Sequence, residues 1–318
     1  MSFNYEDHKK AIAANIKALN PTMAESYEVK PTINASSVLF AKTMLEFDWK
    51  HPQQRKSNAE SETPVGNPDK DNYGISEADL PSPQTYLKDY PNTIFRPGAK
   101  VMDFAAGTGL VTTKLVPYLP GSEIVGVDIN PAFLAKFEAK EKALREQGVN
   151  ISHVEVDIMD PSKKEELDAK FKRQFDIIFC TLSYHHIDNY EDVTVRLCEF
   201  LAPGGELIII DFYNEDLENV DVERLNADES FAVRHMGGLK KEVLHSVLQD
   251  KCGLTNVSVA REFRFRMWNE AKFINGHCDK QTIDDLNAGK LPTKQDPVDG
   301  TVYLIDSSIV MAIGQQPK

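Results

Sequence analysis

The chain of 318 residues carries 36 Lys+Arg against 49 Asp+Glu, a formal charge of −13, with 41% hydrophobic residues. That content supplies a sizeable core and excludes a disordered tail or a mini-protein, while the negative charge repels phosphate backbones and anionic leaflets, so neither nucleic acid nor a membrane is an expected partner. Cys180, Cys198, Cys252 and Cys278 form no CxxC pair or disulfide framework, and every apolar run falls far short of the ~18 residues of a membrane span, so a soluble chain in a reducing cytoplasm is expected.

Ile12, Ile16 and Leu19 recur at three- and four-residue steps and predict a helix between Tyr5 and Leu19; Leu39, Met44 and Leu45 predict another between Val38 and Phe47. From Asp48 to Pro97 a polar stretch is punctuated by Pro52, Pro64, Pro68, Pro81, Pro83, Pro91 and Pro97, which predicts a surface excursion, mobile around residues 50–72. After Gly98, Val- and Ile-rich runs alternate with helical segments, the pattern of a parallel sheet covered on both faces. The predicted strands are Lys100–Phe104, Glu123–Asp128, Ser152–Val156, Phe175–Thr181 and Glu206–Phe212. Asn130 caps the helix after the second strand, Pro131 suits its first position and Gly148 its left-handed stop. Asp160-Pro161 opens the next helix, and Pro203-Gly204-Gly205 turns the chain into the fifth strand. A helix over residues 240–251 precedes runs at 257–265 and 302–313, expected as an antiparallel pair at one sheet edge and separated by a polar insertion over about 269–300.

The segment Val101-Met102-Asp103-Phe104-Ala105-Ala106-Gly107-Thr108-Gly109 runs from a strand through a glycine turn into a helix. Glycine serves where backbone must approach a ligand closely, and free amides at a helix start favour a carboxylate or phosphate. Asp128 ends the second strand, where a carboxylate takes two ribose hydroxyls of an adenosine. Two nucleotide classes share that geometry. A dinucleotide fingerprint wants a third glycine where Thr112 stands and has no use for an acid at Asp103.

Asp103 to Gly109 resembles motif I of the class I S-adenosylmethionine (SAM) methyltransferases, acid-x-Gly-x-Gly-x-Gly, with Ala105 in place of the first glycine. The resemblance continues in register over residues 99–212. Asp128, with Ile129 beside it, matches the ribose-binding acid; Asp157 matches the acid that takes the adenine amino group, with Ile158 as a packing face for the ring. Phe175–Cys180 looks like the family's fourth strand, Cys180 being placed among the cofactor contacts as a small core residue, not a nucleophile; Leu201–Gly205 looks like the turn before the fifth. Further out, His235-Met236-Gly237-Gly238-Leu239 is similar to a His-x-x-Gly-aromatic segment of many small-molecule members, which makes His235 a substrate-side candidate. Ala24–Glu28 resembles a Tyr-acid element near the methionine end of SAM and brings in Tyr27.

The resemblance implies an α/β, Rossmann-like class I methyltransferase fold: a seven-stranded mixed sheet in the order 3-2-1-4-5-7-6 with helices on both faces. Residues 1–98 would form an N-terminal helical cap and Pro-rich loop, and 99–318 the SAM-binding domain. It further implies SAM as cofactor and a small organic methyl acceptor. The sulfonium already activates the methyl group, so the chain has to align the acceptor and, where that is protonated, remove a proton. That chemistry requires no metal, and none is expected. The loop Ser183-Tyr184-His185-His186-Ile187-Asp188 sits where the family places groups near the methyl, and His185 or His186 is the expected base, which favours an oxygen acceptor. A hydrogen-bonded structural pair is the competing reading of these histidines. A non-catalytic SAM-binding protein, a nicotinamide-dependent oxidoreductase and a protein methyltransferase compete for the whole chain. No Gly-x-x-x-x-Gly-Lys-Ser/Thr, His-Glu-x-x-His or Gly-x-Ser-x-Gly motif occurs.

Overall fold

Three helices open the chain, two of them with a side-chain cap. Asn4 accepts from the Glu6 amide to start α1 (Tyr5–Ala18), and Asn20 accepts from the Met23 amide to start α2 (Pro21–Tyr27). Proline stands in the first turn of α2 and of α3 (Pro31–Glu46), where a missing N–H costs nothing. Accordingly α3 begins at Pro31, well before the predicted Val38. The structure is a computed structural model that describes residues 3–52, 63–213 and 232–318, so part of the excursion expected to be mobile lies outside the described residues.

What is described of that excursion is packed. Val65 bridges Phe265, its amide donating to the Arg264 carbonyl. The Trp268 indole donates to the Pro68 carbonyl. Tyr86 in the short α4 (Tyr86–Asp89) donates to the Leu45 carbonyl, and the Tyr118 hydroxyl donates to the Pro81 carbonyl. Tyr73, Tyr86 and Phe95 are buried. Residues 63–98 are thus a surface excursion as expected, most of them exposed or half-buried, with prolines at the turns and buried aromatics such as Tyr73, Tyr86 and Phe95 anchoring the segment.

The regular part follows the predicted alternation. β1 (Lys100–Phe104) leads to α5 (Leu110–Leu115), β2 (Glu123–Asp128) to α6 (Pro131–Glu146), β3 (Asn150–Glu155) to α7 (Lys164–Phe171), and β4 (Phe175–Thr181) to α8 (Tyr190–Phe200). β5 (Leu201–Phe212) is followed, after residues outside the description, by α9 (Lys241–Ser246), which continues into a π turn over Val247–Lys251. β6 (Thr255–Glu270), α10 (Ala271–His277), α11 (Lys280–Asn287), β7 (Thr293–Asp296) and β8 (Gly300–Gln315) complete the chain. Hence the polar insertion contains two helices and a short strand.

The strands join in the order β3-β2-β1-β4-β5-β8-β6, with β7 on β8, which is the expected 3-2-1-4-5-7-6 arrangement plus one short strand. β8 runs antiparallel to both β5 and β6. β5 starts at Leu201, not at Glu206: Leu201 pairs with Phe175 and the register then slips before Ile177. Pro203-Gly204-Gly205 thus forms a bulge inside the strand. A Cβ on Gly205 would stand 2.6 Å from the Phe175 carbonyl, so no larger residue fits.

Apolar side chains fill both faces. Met102, Val125, Ile178 and Leu207 share one buried cluster with Leu197 of α8. Val101, Ile124, Phe179 and Ile208 share the other with Phe40, Ala41, Met44 and Leu45 of α3. So α3 is built into the sheet's own core, while α2 packs on α6 and α1 reaches the carboxyl edge through His8 against Asp157 and the Asn130 side-chain amide on the Leu19 carbonyl that follows it. Among the described residues no helix is long and apolar enough to cross a membrane.

Candidate active site

A cavity of about 870 Å³ lies between the carboxyl ends of the strands and α1, α2 and α3. Parallel sheets leave such a crevice beyond their carboxyl edge where strand order reverses, here between β1 and β4. Tyr27, Asp103, Ala105, Gly107, Asp128, Ile129, Asp157, Ile158, His185 and His186 all line it.

At one end the turn after β1 is wound tightly. Ala105, Gly107 and Gly109 have φ of 56°, 54° and 78°, left-handed values that only glycine adopts freely. Ala105 therefore carries a strain of about 1–2 kcal/mol that glycine in its place would not. The Gly107 amide donates to Asp128 Oδ2 at 2.7 Å and the Asn130 amide to Oδ1 at 2.8 Å, which ties the turn to the end of β2. Burial raises the Asp128 pKa, against the pull of these amides. Beneath the turn Asp103 accepts from the Thr112 hydroxyl, and burial pushes its pKa up to about 8, with Asp128 adding to the rise. Thr112, which spoils the dinucleotide fingerprint, thus has a positive task. The Tyr27 phenol packs edge-on against Phe133 at 5.1 Å and is pushed up to about 12 by burial and then by Asp128.

Asp157 follows β3. Its Oδ1 accepts from the Met159 amide at 2.9 Å and meets His8 Nε2 of α1 at 3.1 Å, while its buried Oδ2 has no hydrogen-bond partner. The Thr108 hydroxyl is likewise buried and unpartnered. A buried polar atom left without a hydrogen bond is costly, and both of these face the cavity.

The other end is walled by rings and apolar side chains. His185 Nδ1 lies 2.7 Å from Asp211 Oδ1 at the end of β5, with both side chains buried. His186 Nδ1 meets the Ala232 carbonyl at 2.5 Å, and burial, His185 and His277 together hold its pKa well below the ordinary value. His277 of α10 stacks on Phe273 at 4.3 Å, and burial with nearby His185 pushes it down to about 3. Phe212, Phe263, Phe265, Met267 and Ile309 complete this end.

Three expected site residues stand off the cavity wall. Gly109 is backed by the Phe137 ring, 2.7 Å from where a Cβ would be, so packing against α6 accounts for it. Cys180 is fully buried in the sheet core, and Thr181 and Leu182 face the cavity instead. His235 Nε2 is 2.9 Å from the Ile187 carbonyl and its ring meets Tyr190 edge-on, so its contacts brace the loop after β4. Conversely, sequence reasoning missed His8, Asp211 and His277. Asp211 left a readable trace, an acid closing the apolar run Ile208-Ile209-Ile210, where a buried charge needs a partner.

An acid under a glycine turn, an acid closing the next strand and a half-satisfied acid after the third, all at one carboxyl edge, make this a nucleoside-binding α/β fold. Residues 102–207 match the family model described as a methyltransferase domain. Over 294 residues the chain is 25% identical to an uncharacterized methyltransferase of Schizosaccharomyces pombe, covering 88% of this chain and 93% of that one. It is 28% identical over 113 residues to the demethylmenaquinone methyltransferase of Thermus thermophilus, covering 36% of this chain and 47% of that enzyme. It is 32% identical over 121 residues to a ubiquinone/menaquinone biosynthesis C-methyltransferase of Shewanella, covering 37% and 44%. The chain thus spans less than half the length of these two quinone-pathway relatives. Among solved structures, the YcgJ protein of Bacillus subtilis superposes with a TM-score of 0.48 at 14% identity, covering 70% of this chain and 94% of that one. A phosphoethanolamine N-methyltransferase of Haemonchus contortus with bound SAM gives 0.45 at 15% identity, covering 70% and 50%. Residues 102–207 thus carry a methyltransferase domain, and the chain is a SAM-dependent methyltransferase with SAM as its cofactor.

Proposed function

We propose that this enzyme methylates an oxygen, hydroxyl or carboxylate, of a small and largely apolar organic acceptor, with His185 as the base. The observation that carries this reading is His185 in the cavity wall with the buried Asp211 carboxylate behind it at 2.7 Å. With Nδ1–H donated to the carboxylate, the neutral ring keeps its lone pair on Nε2, and Asp211 stabilises the cation formed when that nitrogen takes a proton. His186 is the poorer base of the two, since burial and two neighbouring rings oppose its protonation. The apolar side chains around the rings suit an acceptor whose body is hydrocarbon or aromatic.

The cofactor residues fit SAM. Bound SAM supplies a methyl group already activated on a sulfonium. Asp128 would hold the ribose hydroxyls, and Asp157 Oδ2, which lacks a partner, would take the adenine amino group between Ile129 and Ile158. Asp103, Ala105, Gly107 and Tyr27 would surround the methionine end, where an anionic Asp103 favours a cationic group.

The test is a panel of phenols, hydroxylated polyketides and carboxylic acids, with carbon acceptors added because of the C-methyltransferase relatives. His185→Ala is expected to lower kcat about 10²–10⁴-fold with SAM affinity kept, and His186→Ala to change it less. Asp128→Ala is expected to abolish SAM binding in a calorimetric titration. Unchanged turnover in His185→Ala would remove the base and spare the methyltransferase. Turnover confined to carbon acceptors would overturn the oxygen assignment.

A further inference from the structure

A base requires one imidazole, and this wall has three. His185, His186 and His277 each offer a ring nitrogen, and the three nitrogens lie within 4.8 Å of one another. All three rings line the cavity. Each has its Nδ1 against an oxygen: the Asp211 carboxylate at 2.7 Å for His185, the Ala232 carbonyl at 2.5 Å for His186, and the Phe273 carbonyl at 3.1 Å for His277. An oxygen acceptor fixes the proton on Nδ1, so each ring keeps its lone pair on Nε2. Metal-binding histidines are oriented in this way, the distal N–H held by a carboxylate or carbonyl while the other nitrogen points at the ion.

From this juxtaposition we infer that His185, His186 and His277 form a binding site for a divalent transition metal, with an open coordination position facing the cavity for an oxygen of the acceptor. Three imidazoles with no oxygen ligand select zinc, cobalt, iron, nickel or copper over magnesium or calcium, which require oxygen donors. Nitrogens bound at about 2.0–2.1 Å stand roughly 3.3 Å apart around a tetrahedral ion, so the rings need to close by about 1.5 Å at most. Their electrostatics suit a cation. Behind His185 the buried Asp211 carboxylate lies 2.7 Å from Nδ1, where an outer partner of a ligating imidazole stands.

The role of the ion rests on the acceptor reading above; its binding does not. With a metal on Nε2, the ion would take over the proton-removing task that His185 performs in the metal-free protein. An acceptor hydroxyl would instead bind the ion as its anion, releasing its proton to solvent, because the cation lowers the hydroxyl pKa.

The experiment is a titration of the whole, chelator-treated protein with Co²⁺, followed by visible absorption, in parallel with a calorimetric titration with SAM. One equivalent of Co²⁺ is expected to bind with the d–d bands of a four- or five-coordinate nitrogen site, to be displaced by Zn²⁺ and to survive excess Mg²⁺. His277→Ala is expected to lose those bands while binding SAM as the wild type does. Asp211→Asn is expected to keep them with affinity reduced 10–100-fold, the effect of losing an outer partner of a ligating histidine. His245→Ala, in α9 away from the cavity, controls for surface histidines. Absence of the bands in the SAM-binding wild type overturns the metal site and leaves methyl transfer untouched. So do equal bands in wild type and His277→Ala, which place the ion elsewhere. Methyl acceptance by the metal-free protein is measured separately and decides only the role of the ion.

Discussion

Asp103 shows how one buried carboxyl couples cofactor and pH. Its pKa of about 8, against 3.8 for an ordinary aspartate, means that between those values the folded chain holds a proton which the unfolded chain has released. Stability then falls as pH rises across that window, by up to about 1.4 kcal/mol per pH unit, and Asp103→Asn should flatten the profile of Tm against pH. A cationic ligand group beside Asp103 favours the carboxylate, so SAM binding at pH 7 is expected to release a proton. Titrations in buffers of different ionisation heat would measure it, and equal heats would show that Asp103 keeps its protonation state on binding. Asp103, Asp128 and Asp157 were legible in the sequence because each closes or follows a strand within a short local pattern. His8 and His277 were not, because α1 and α10 bring them to the cavity from opposite ends of the chain and no local spacing records that meeting, while Asp211 shows only as an acid closing an apolar run, with nothing to name His185 as its partner. Cys180 and Gly109 read as cofactor contacts for the converse reason: they neighbour the cavity in sequence, while their side-chain space belongs to the core and to α6.

At the level of elements, the N-terminal helices divide into a load-carrying one and a covering one. α3 buries eight residues, among them Phe40, Met44 and Leu45, whereas α1 buries only His8 and Ala11. Phe40→Ala is therefore expected to cost about 3–5 kcal/mol in thermal or denaturant unfolding. Removal of residues 1–18 should shift Tm by little and weaken SAM binding at least tenfold, because His8 and the apolar face of α1 cover Asp157. A truncated chain that binds SAM normally would show that α1 is dispensable to the cofactor. Sequence periodicity found α1 and the alternation after Gly98, both of which follow from local burial. It placed the start of α3 late, because Pro31 reads as a breaker until its place in the first turn is known, and it read the 63–98 segment as a surface excursion without its anchors, because buried aromatics spaced by prolines have no period.

For the molecule as a whole, the path of the chain through the sheet matters more than any single contact. β5 finishes at Phe212, β6 forms at the outer edge, and β8 then inserts between them, antiparallel to both. Until residues 300–315 dock, Ile208, Ile209 and Ile210 present an unpaired hydrogen-bonding edge, and among the described residues β6 has only the isolated bridge of Val65 to join. Pairing so distant in sequence is slow, and an open apolar edge is a template for association with another chain. Refolding from denaturant should therefore pass through a collapsed species whose yield of native protein falls as concentration rises; a yield independent of concentration would mean that β8 closes early. Substitutions in β8 far from the cavity are therefore expected to show as lost expression before they show as lost catalysis.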